Sequence, residues 1–586
     1  MNFLRNFLAA ILGCLFAFGI LFIMFFIFAS LLGSGEDKVS VKNNSILELQ
    51  LQRPIADYTG KNDLNPFGGL FEESQGLDEI LHAIAVAKDD ERIKGISINN
   101  NFVIAGLAQV QAIRKALEDF KKADKFIYTY SDFYMQKDYY LASVSDSIFM
   151  NPVGAMDFKG LSSEVLFFKE LQEKTGVKME VIRHGKYKSA VEPYLENEMS
   201  ESNRTQIKEL IQSLWNSMVS DIATGRGISE TDLNRIADTL GGRSPKMAKR
   251  SGLIDDIVFY DEYEAKLAGR VGKENRKDLE YVSLDEYTKY SNKKVLQSGG
   301  DKIAVVFAQG EIFYGEGGPD IIGQGIINDA LIKVREDENV KAVVLRVNSP
   351  GGSALTSDII WREVELLKET KPVVVSMGNV AASGGYYIAA GADKIFAEPT
   401  TITGSIGVFG TVPNISELAK DIGINAEQVG TNTNSVDYSL FEPMSDNFRE
   451  VIKEGIEQTY QTFLQRVSQG RDMTIDEVDE VAQGRVWSGV DAKRYGLVDE
   501  LGNLEDAIAE AAKMAELGDY GIKKYPKYKS AFEQFMEDLG GASAKAKQHV
   551  IREEIGEETY MLWKEVKNAT QQKGIQARMP FSLNIK

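Results

Sequence analysis

The sequence predicts an α/β protein made of two tandem, homologous domains behind an N-terminal membrane anchor. Three observations carry that prediction. Segments recur along the chain at a nearly constant offset, short β-branched runs alternate with longer amphipathic stretches, and one long apolar run near the N-terminus holds no charge.

The recurrence fixes the organisation first. Ala248-Lys249-Arg250-Ser251-Gly252-Leu253-Ile254-Asp255 matches Ala492-Lys493-Arg494-Tyr495-Gly496-Leu497-Val498-Asp499, 244 residues further on. Asp138-Tyr139-Tyr140-Leu141-Ala142 matches Gly385-Tyr386-Tyr387-Ile388-Ala389, and Ile148-Phe149-Met150-Asn151-Pro152 matches Ile395-Phe396-Ala397-Glu398-Pro399, both at an offset of 247. KGISINN (94–100) matches KAVVLRV (341–347) at that same offset. Colinear matches at one spacing mean duplication.

The alternation fixes the fold class. Ile303–Phe307, Ala342–Val347, Val373–Ser376 and Lys394–Ala397 are short apolar runs bounded by turns, which read as buried strands. Leu355–Lys368, Phe448–Ser468 and Leu504–Met514 carry apolar residues at three-to-four spacing and read as helices. Strands alternating with helices predict mainly parallel sheets. The division expected is a stub and anchor at 1–33, a linker at 34–45, a first repeat at 46–290, a polar glycine-containing linker at 291–300, a second repeat at 301–515 and a C-terminal extension at 516–586. Within that extension residues 543–567 read as an amphipathic helix docked on the second domain.

Residues 7–32 are uncharged and long enough, at about 1.5 Å per residue, to cross a hydrocarbon core of about 30 Å. Arg5 precedes the run and Glu36 and Asp37 follow it, so the N-terminus is expected in the cytoplasm and the remainder outside. A cleaved signal peptide or a lipid-modified Cys14 are the competing readings of this segment. The net charge of −19 argues against a nucleic-acid partner, which needs a basic face. Cys14 is the only cysteine, so no intrachain disulfide can form. The histidines, His82, His184 and His549, are too few and too scattered to suggest a zinc site or a histidine-based triad.

Two glycine-marked turns in the second repeat and one lysine segment in the first suggest chemistry. In Val347-Asn348-Ser349-Pro350-Gly351-Gly352-Ser353 the paired glycines let backbone N–H groups approach a ligand, as an oxyanion hole requires; an ordinary strand-to-helix turn would look the same. In Val380-Ala381-Ala382-Ser383-Gly384-Gly385, Ser383 stands among small residues where a helix should begin, with the Gly384 N–H beside it; a nucleophile and a plain capping serine are both consistent with that. A serine nucleophile needs a base. The segment Gly185-Lys186-Tyr187-Lys188-Ser189-Ala190-Val191 offers a lysine with no carboxylate among its immediate neighbours, fit for a base if buried and for a solvated surface if not.

VNSPGGS, NVAASGGYY, TGSIG and GKYKSAVEP, taken in combination, resemble signal peptide peptidase A (protease IV) in its long, two-repeat form. The resemblance spans essentially the whole chain. It implies two tandem Clp-protease/crotonase-like (ββα superhelix) domains and a Ser/Lys dyad. Carried over motif by motif, it makes Ser383 the nucleophile, Lys188 the base and Ser405 the residue that orients the lysine. It makes Gly351 and Gly384, with Gly352 alongside, the oxyanion site. It implies peptide substrates (released signal peptides and unfolded segments), a homotetramer, a single-pass protein of the bacterial inner membrane with its domains on the outer side, and no cofactor or metal. His184, beside the lysine motif, reads as a rim or packing residue.

The duplication gives separate support. Superposition puts Gln136 at the position of Ser383 and Thr433 at that of Lys188, and Asn100-Asn101-Phe102-Val103 in place of the Pro-Gly-Gly turn. Each half keeps what the other lacks. The rival readings are a crotonase-like acyl-CoA enzyme and a catalytically inactive membrane scaffold.

Overall fold

The computed structural model describes residues 41–60, 74–295, 300–432, 434–435, 438–528 and 576–579, together with residues 13, 16–20 and 24 of the N-terminal run. Those few N-terminal residues are helical and exposed. The expectations for the rest of the anchor, for Thr433 and for the helix at 543–567 lie outside the described residues. Among the described residues no helix is long and apolar enough to cross a membrane.

Each half builds a sheet around six parallel strands in the same order; the second half's sheet adds Ile402–Gly404 and Val486–Ser488, the last of them antiparallel. In the first half the order is Asp256–Ile257, Ser147–Met156, Phe126–Tyr134, Ile93–Asn99, Ser45–Leu49 and Glu280–Ser283, every neighbour parallel. In the second it is Glu500–Leu501, Lys394–Ala397, Val373–Ala382, Val340–Ser349, Lys302–Gln309 and Gly521–Tyr525, again all parallel. The central strands starting at Ile93, Phe126 and Ser147 recur 247 residues later at Val340, Val373 and Lys394. The repeat read from sequence is therefore a repeat of structure. Central strands such as Val340–Ser349 are buried on both faces, as sheets covered by helices on each side demand. The edge strand Gly521–Tyr525 comes from beyond residue 515.

The strand Val373–Ala382 carries the chain to the site. Its first part pairs with Val340–Ser349 and Lys394–Ala397. A register shift follows, because Val347 faces Met377 while Ser349 faces Ala381. The extra residues bend the strand away, and its last three pair with Ile402–Gly404 instead. Ser383 is the next residue, and the helix Gly384–Ala389 starts immediately after it.

A third sheet joins the halves. Its order is Ile321–Gly323, Glu311–Phe313, Gly351–Ser353, Gln576–Arg578, Val408–Asn414 and Lys178–His184. The last of these strands belongs to the first half. It pairs antiparallel with Val408–Asn414 over seven residues, from Val408 opposite His184 to Asn414 opposite Lys178, and buries Ile182 in the core of the second half. Elsewhere the halves are locked by a buried ion pair: Arg346 Nε donates to Asp57 Oδ2 at 2.8 Å, while Gln109 Nε2 donates to Asp57 Oδ1 at 2.8 Å. Gln111 Oε1 accepts from both the N–H and the hydroxyl of Thr400, at 3.2 and 2.8 Å.

Candidate active site

The donated strand ends at His184, and Gly185 turns the chain with φ of 107°. The turn brings Lys188 back under the second half. Tyr187 N–H donates to Gln483 O at 2.8 Å, and Gln206 Nε2 donates to Tyr187 O at 3.0 Å. Backbone packing here is close: a Cβ added at Gly484 would stand 2.7 Å from the nitrogen and the Cβ of Lys188, and one at Gly407 would stand 3.2 Å from its Cδ. The lysine side chain has one way to go.

It reaches Ser383. Lys188 Nζ lies 2.8 Å from Ser383 Oγ, 3.0 Å from Ser405 Oγ and 3.0 Å from Ser405 O. Lys188, Ser383 and Ser405 are all fully buried. Burial alone, with no carboxylate among the described residues to hold the charge, pushes the Lys188 amine well below its ordinary value. Glu192, also buried and nearby in sequence, is turned elsewhere, accepting from Asn203 Nδ2 at 2.5 Å. A neutral amine has two N–H donors and one lone pair. In that state two hydrogens can go to the Ser405 oxygens and the lone pair can face the Ser383 hydroxyl.

Ser383 has φ of 55° and ψ of −116°. A non-glycine residue held there stores about 1–3 kcal/mol of strain and persists only where its surroundings fix it. Ser383 N–H donates to Gly404 O at 2.8 Å, and Ser383 O accepts from Tyr387 N–H at 2.8 Å. The side chain makes no capping bond to the helix behind it, which removes the plain N-cap reading. Its hydroxyl is aimed at the lysine.

The glycine turn lies beside it. Gly351 has φ of 97° and Gly352 of 154°, so both adopt backbone conformations that side chains resist. Gly351 N–H donates to Ser349 Oγ at 3.1 Å. It is thereby engaged within its own turn. Gly352 instead pairs with Ala577 of the short strand Gln576–Arg578, which runs antiparallel to Gly351–Ser353. The Ala577 carbonyl oxygen is lodged among three glycines. A Cβ at Gly351 would overlap that oxygen and stand 2.7 Å from Gly384 N; one at Gly384 would stand 3.0 Å from the same oxygen and 3.2 Å from Gly352 N. Thus Gly351, Gly352 and Gly384 converge on one carbonyl-sized position, and Ser383 directly precedes the last of them.

His184 is not part of this cluster. Its Nδ1 is 2.7 Å from Glu457 Oε1 and its ring stacks on Tyr460 at 4.0 Å, the packing role expected of it. In the first half Gln136, at the counterpart of Ser383, turns inward: Oε1 accepts from Lys159 N–H at 3.0 Å and Gly160 N–H at 2.8 Å, and Nε2 donates to Gly160 O at 2.9 Å.

Sequence reasoning missed the Gln483-Gly484-Arg485 loop, which clamps the lysine turn. Gly484 N–H donates to Ile406 O at 2.7 Å and Ser405 N–H to Arg485 O at 2.6 Å, so the loop also fixes Ser405. A signal existed, because Gly242-Arg243 stands in the first half where Gly484-Arg485 stands in the second. For the strand Gln576–Arg578 the sequence held no comparable signal.

The fully buried Ser383 and Lys188 at the strand ends of an α/β sheet, beside glycine-marked turns, fit the site of a serine peptidase. The chain belongs to peptidase family S49, which it matches over residues 119–273 and 365–518, one region in each half. It is 39 % identical over 446 residues to Protease 4 of Haemophilus influenzae, covering 74 % of this chain and 72 % of that one. It is 36 % identical over 479 residues to Protease 4 of Salmonella typhi, covering 80 % and 77 %. The chloroplastic serine protease SPPA of Arabidopsis thaliana is 34 % identical over 486 residues, covering 81 % of this chain and 70 % of its own.

Proposed function

We propose that the chain is a membrane-anchored endopeptidase that hydrolyses released signal peptides and other unfolded peptides through an acyl-enzyme on Ser383, with Lys188 as the general base. The observation that carries this reading is the 2.8 Å approach of a fully buried, carboxylate-free amine to a strained serine hydroxyl. Ser383 donates its proton to the Lys188 lone pair as Oγ bonds to the substrate carbonyl carbon. Oxyanion charge falls to the N–H groups of Gly352 and Gly384, each such donor being worth about 3 kcal/mol; Gly351 shapes the turn through Ser349. Lys188 then passes the proton to the leaving amine, and a water repeats the sequence on the ester. Ser405 holds the amine in line by accepting its two hydrogens.

The apolar run at 7–32 supports a single-pass anchor in the bacterial inner membrane with the domains outside the cytoplasm. There the site would meet signal peptides where they are released. The homotetramer is taken from the resemblance, and light scattering of the detergent-purified chain measures it. Peptide substrates bind extended, as an added strand between Gly351–Ser353 and Val408–Asn414. A serine-reactive fluorophosphonate tests the dyad. Modification of Ser383 in the wild type should vanish in Lys188→Ala, and equal labelling of the two would exclude the lysine.

A further inference from the structure

The first half keeps a groove where the second half keeps its chemistry. A cavity of about 460 Å³ lies between the halves, within the range of about 300–1,000 Å³ that ligand pockets span. Its first-half wall includes Phe102, Met135, Gln136, Gly160 and Leu161, which stand at the repeat offset from Ser349, Ala382, Ser383, Gly407 and Val408. The cavity is thus the first repeat's counterpart of the space around Ser383. It also adjoins that space: Leu161, Leu214, Val380 and Ile402 pack in one cluster with Ala382, the residue before Ser383.

The polar groups of the wall are paired within it. Lys137 Nζ donates to Ala105 O at 2.5 Å, and Asp138 Oδ1 accepts from Val103 N–H at 2.6 Å. Lys159 Nζ lies 2.9 Å from Asp157 Oδ2, and Asn379 Oδ1 accepts from Gln109 N–H at 3.0 Å. Gln136 closes on Lys159 and Gly160 as described above. The main chain at the counterpart of the glycine turn is engaged as well. Ile104 O accepts from Ile55 N–H at 3.0 Å, and Gly106 N–H donates to Gln109 Oε1 at 3.0 Å. A ligand therefore meets neither a free charge among these groups nor an open ladder here. What the wall offers is apolar: Leu107, Leu161, Leu214, Met218, Val380 and Ile402 line it. Phe102 and Met135 stand 57 % and 37 % exposed, so large apolar side chains also border its opening.

We propose that this cavity is an exosite for the peptide substrate, holding apolar side chains of a chain whose scissile bond lies at Ser383. The proposal rests on the Ser383/Lys188 reading above. Backbone recognition stays in the catalytic half, where the glycine turn offers a ladder edge, and side-chain recognition falls to the half that lost the nucleophile. Preferred substrates then carry an apolar stretch a few residues from the cut.

The test compares peptides hydrolysed at the same bond by the full chain: a short one that fills only the cleft at Ser383, and versions extended at the N- or the C-terminal end by a leucine-rich stretch. In the wild type one extension is expected to raise kcat/KM about tenfold, mainly through KM, a factor that burial of one large apolar side chain can supply. Phe102→Asp and Met135→Asp change exposed positions. Both are expected to lose the gain while hydrolysing the short peptide, and labelling with fluorophosphonate, as the wild type does. No gain from either extension, or a gain that persists in both variants, would overturn the exosite and leave the dyad standing. Dodecanoate that binds the wild type and not Phe102→Asp, in a chain that gains nothing from the extensions, would assign the cavity to an acyl chain and overturn the peptide reading. A wild type that neither labels nor cuts the short peptide would remove the dyad reading and this one with it.

Discussion

Replacing Lys188 by methionine should inactivate the enzyme and stabilise the fold in a pH-dependent way. The amine is fully buried, and burial pushes it well below its ordinary value. In the unfolded chain it titrates at about 10.4. Between its folded value and that point the unfolded state holds a proton that the folded state lacks, so wild-type stability rises with pH by about 1.4 kcal/mol per unit. Above both values neither state is charged and the penalty is gone; below the folded value the penalty is complete and constant. Methionine has no such dependence. The stability gap between Lys188→Met and wild type is therefore largest at low pH and narrows as pH rises toward about 10.4. Unpairing the Ser405 oxygens subtracts about 1–3 kcal/mol from the variant. That loss is the same at every pH, so it shifts the line without changing its slope. Urea unfolding of both proteins from pH 6 to 9, with peptidase activity measured in parallel, reads slope and turnover together. Turnover should fall by a factor of about 10³ or more. A gap that stays constant across this range would mean that Lys188 folds with its proton on, and a protonated amine cannot take one from Ser383.

Other substitutions probe the supports of the site. Ser405→Ala removes one of the two oxygens that fix the amine; kcat is expected to fall about tenfold to a hundredfold with KM little changed, and a shift in KM alone would contradict a positioning role. Asp57→Ala leaves the Arg346 guanidinium buried and unpaired between the halves, so unfolding free energy should drop by about 3–5 kcal/mol while Asp57→Asn loses less. Glu398 is driven up to about 8 by burial, opposed by Arg346, and its Oε1 has no hydrogen-bond partner among the described residues. Its folded state holds the proton more tightly than the unfolded chain does, so this group favours folding at acid pH and loses that contribution as pH rises through about 8. Glu398→Gln should therefore match wild type near pH 5 and melt higher at pH 8 to 9; equal melting across the range would refute the shift.

How much of this was legible depended on the range of the interaction concerned. The strands at Val340–Ser349 and Val373–Ala382 are long β-branched runs buried on both faces, so the local pattern exposed them. Ser383 and Lys188 were legible because duplication made each conspicuous: the other half carries a different residue at the matching position. The orientation inside the glycine pair was not. Gly351 and Gly352 are alike in sequence, and only the Ser349 bond and the ladder register turn one inward to its own loop and the other toward the cleft. Strand exchange by Lys178–His184 was hidden for a related reason. Its partner Val408–Asn414 lies more than two hundred residues away, and nothing local in a half-buried strand names its neighbour. The strand Gln576–Arg578 is shorter still, and its conformation is decided by the edges it fills.

The first half bears on why a single site is proposed in place of two. Gln136 occupies the position that matches Ser383, the proposed nucleophile, and its amide meets the Lys159 and Gly160 N–H groups and the Gly160 carbonyl. In the second half the counterpart of Gly160 is Gly407, whose carbonyl lies 3.5 Å from Ser383 Oγ. The glutamine thus closes with its own side chain the backbone groups that the active half leaves around its serine. Gln136→Ser would restore the hydroxyl without restoring a base, because Lys188 of the first half is engaged by Ser383 of the second and the second half carries Thr433 where a reciprocal lysine would stand. The variant is expected to lose about 0.5–1.5 kcal/mol, since two part-buried N–H groups lose their acceptor. Fluorophosphonate should still label Ser383 alone. Labelling at position 136 would mean that the strained turn and its glycine neighbours activate a serine without an amine, and the division of labour between the halves would no longer explain why both were kept.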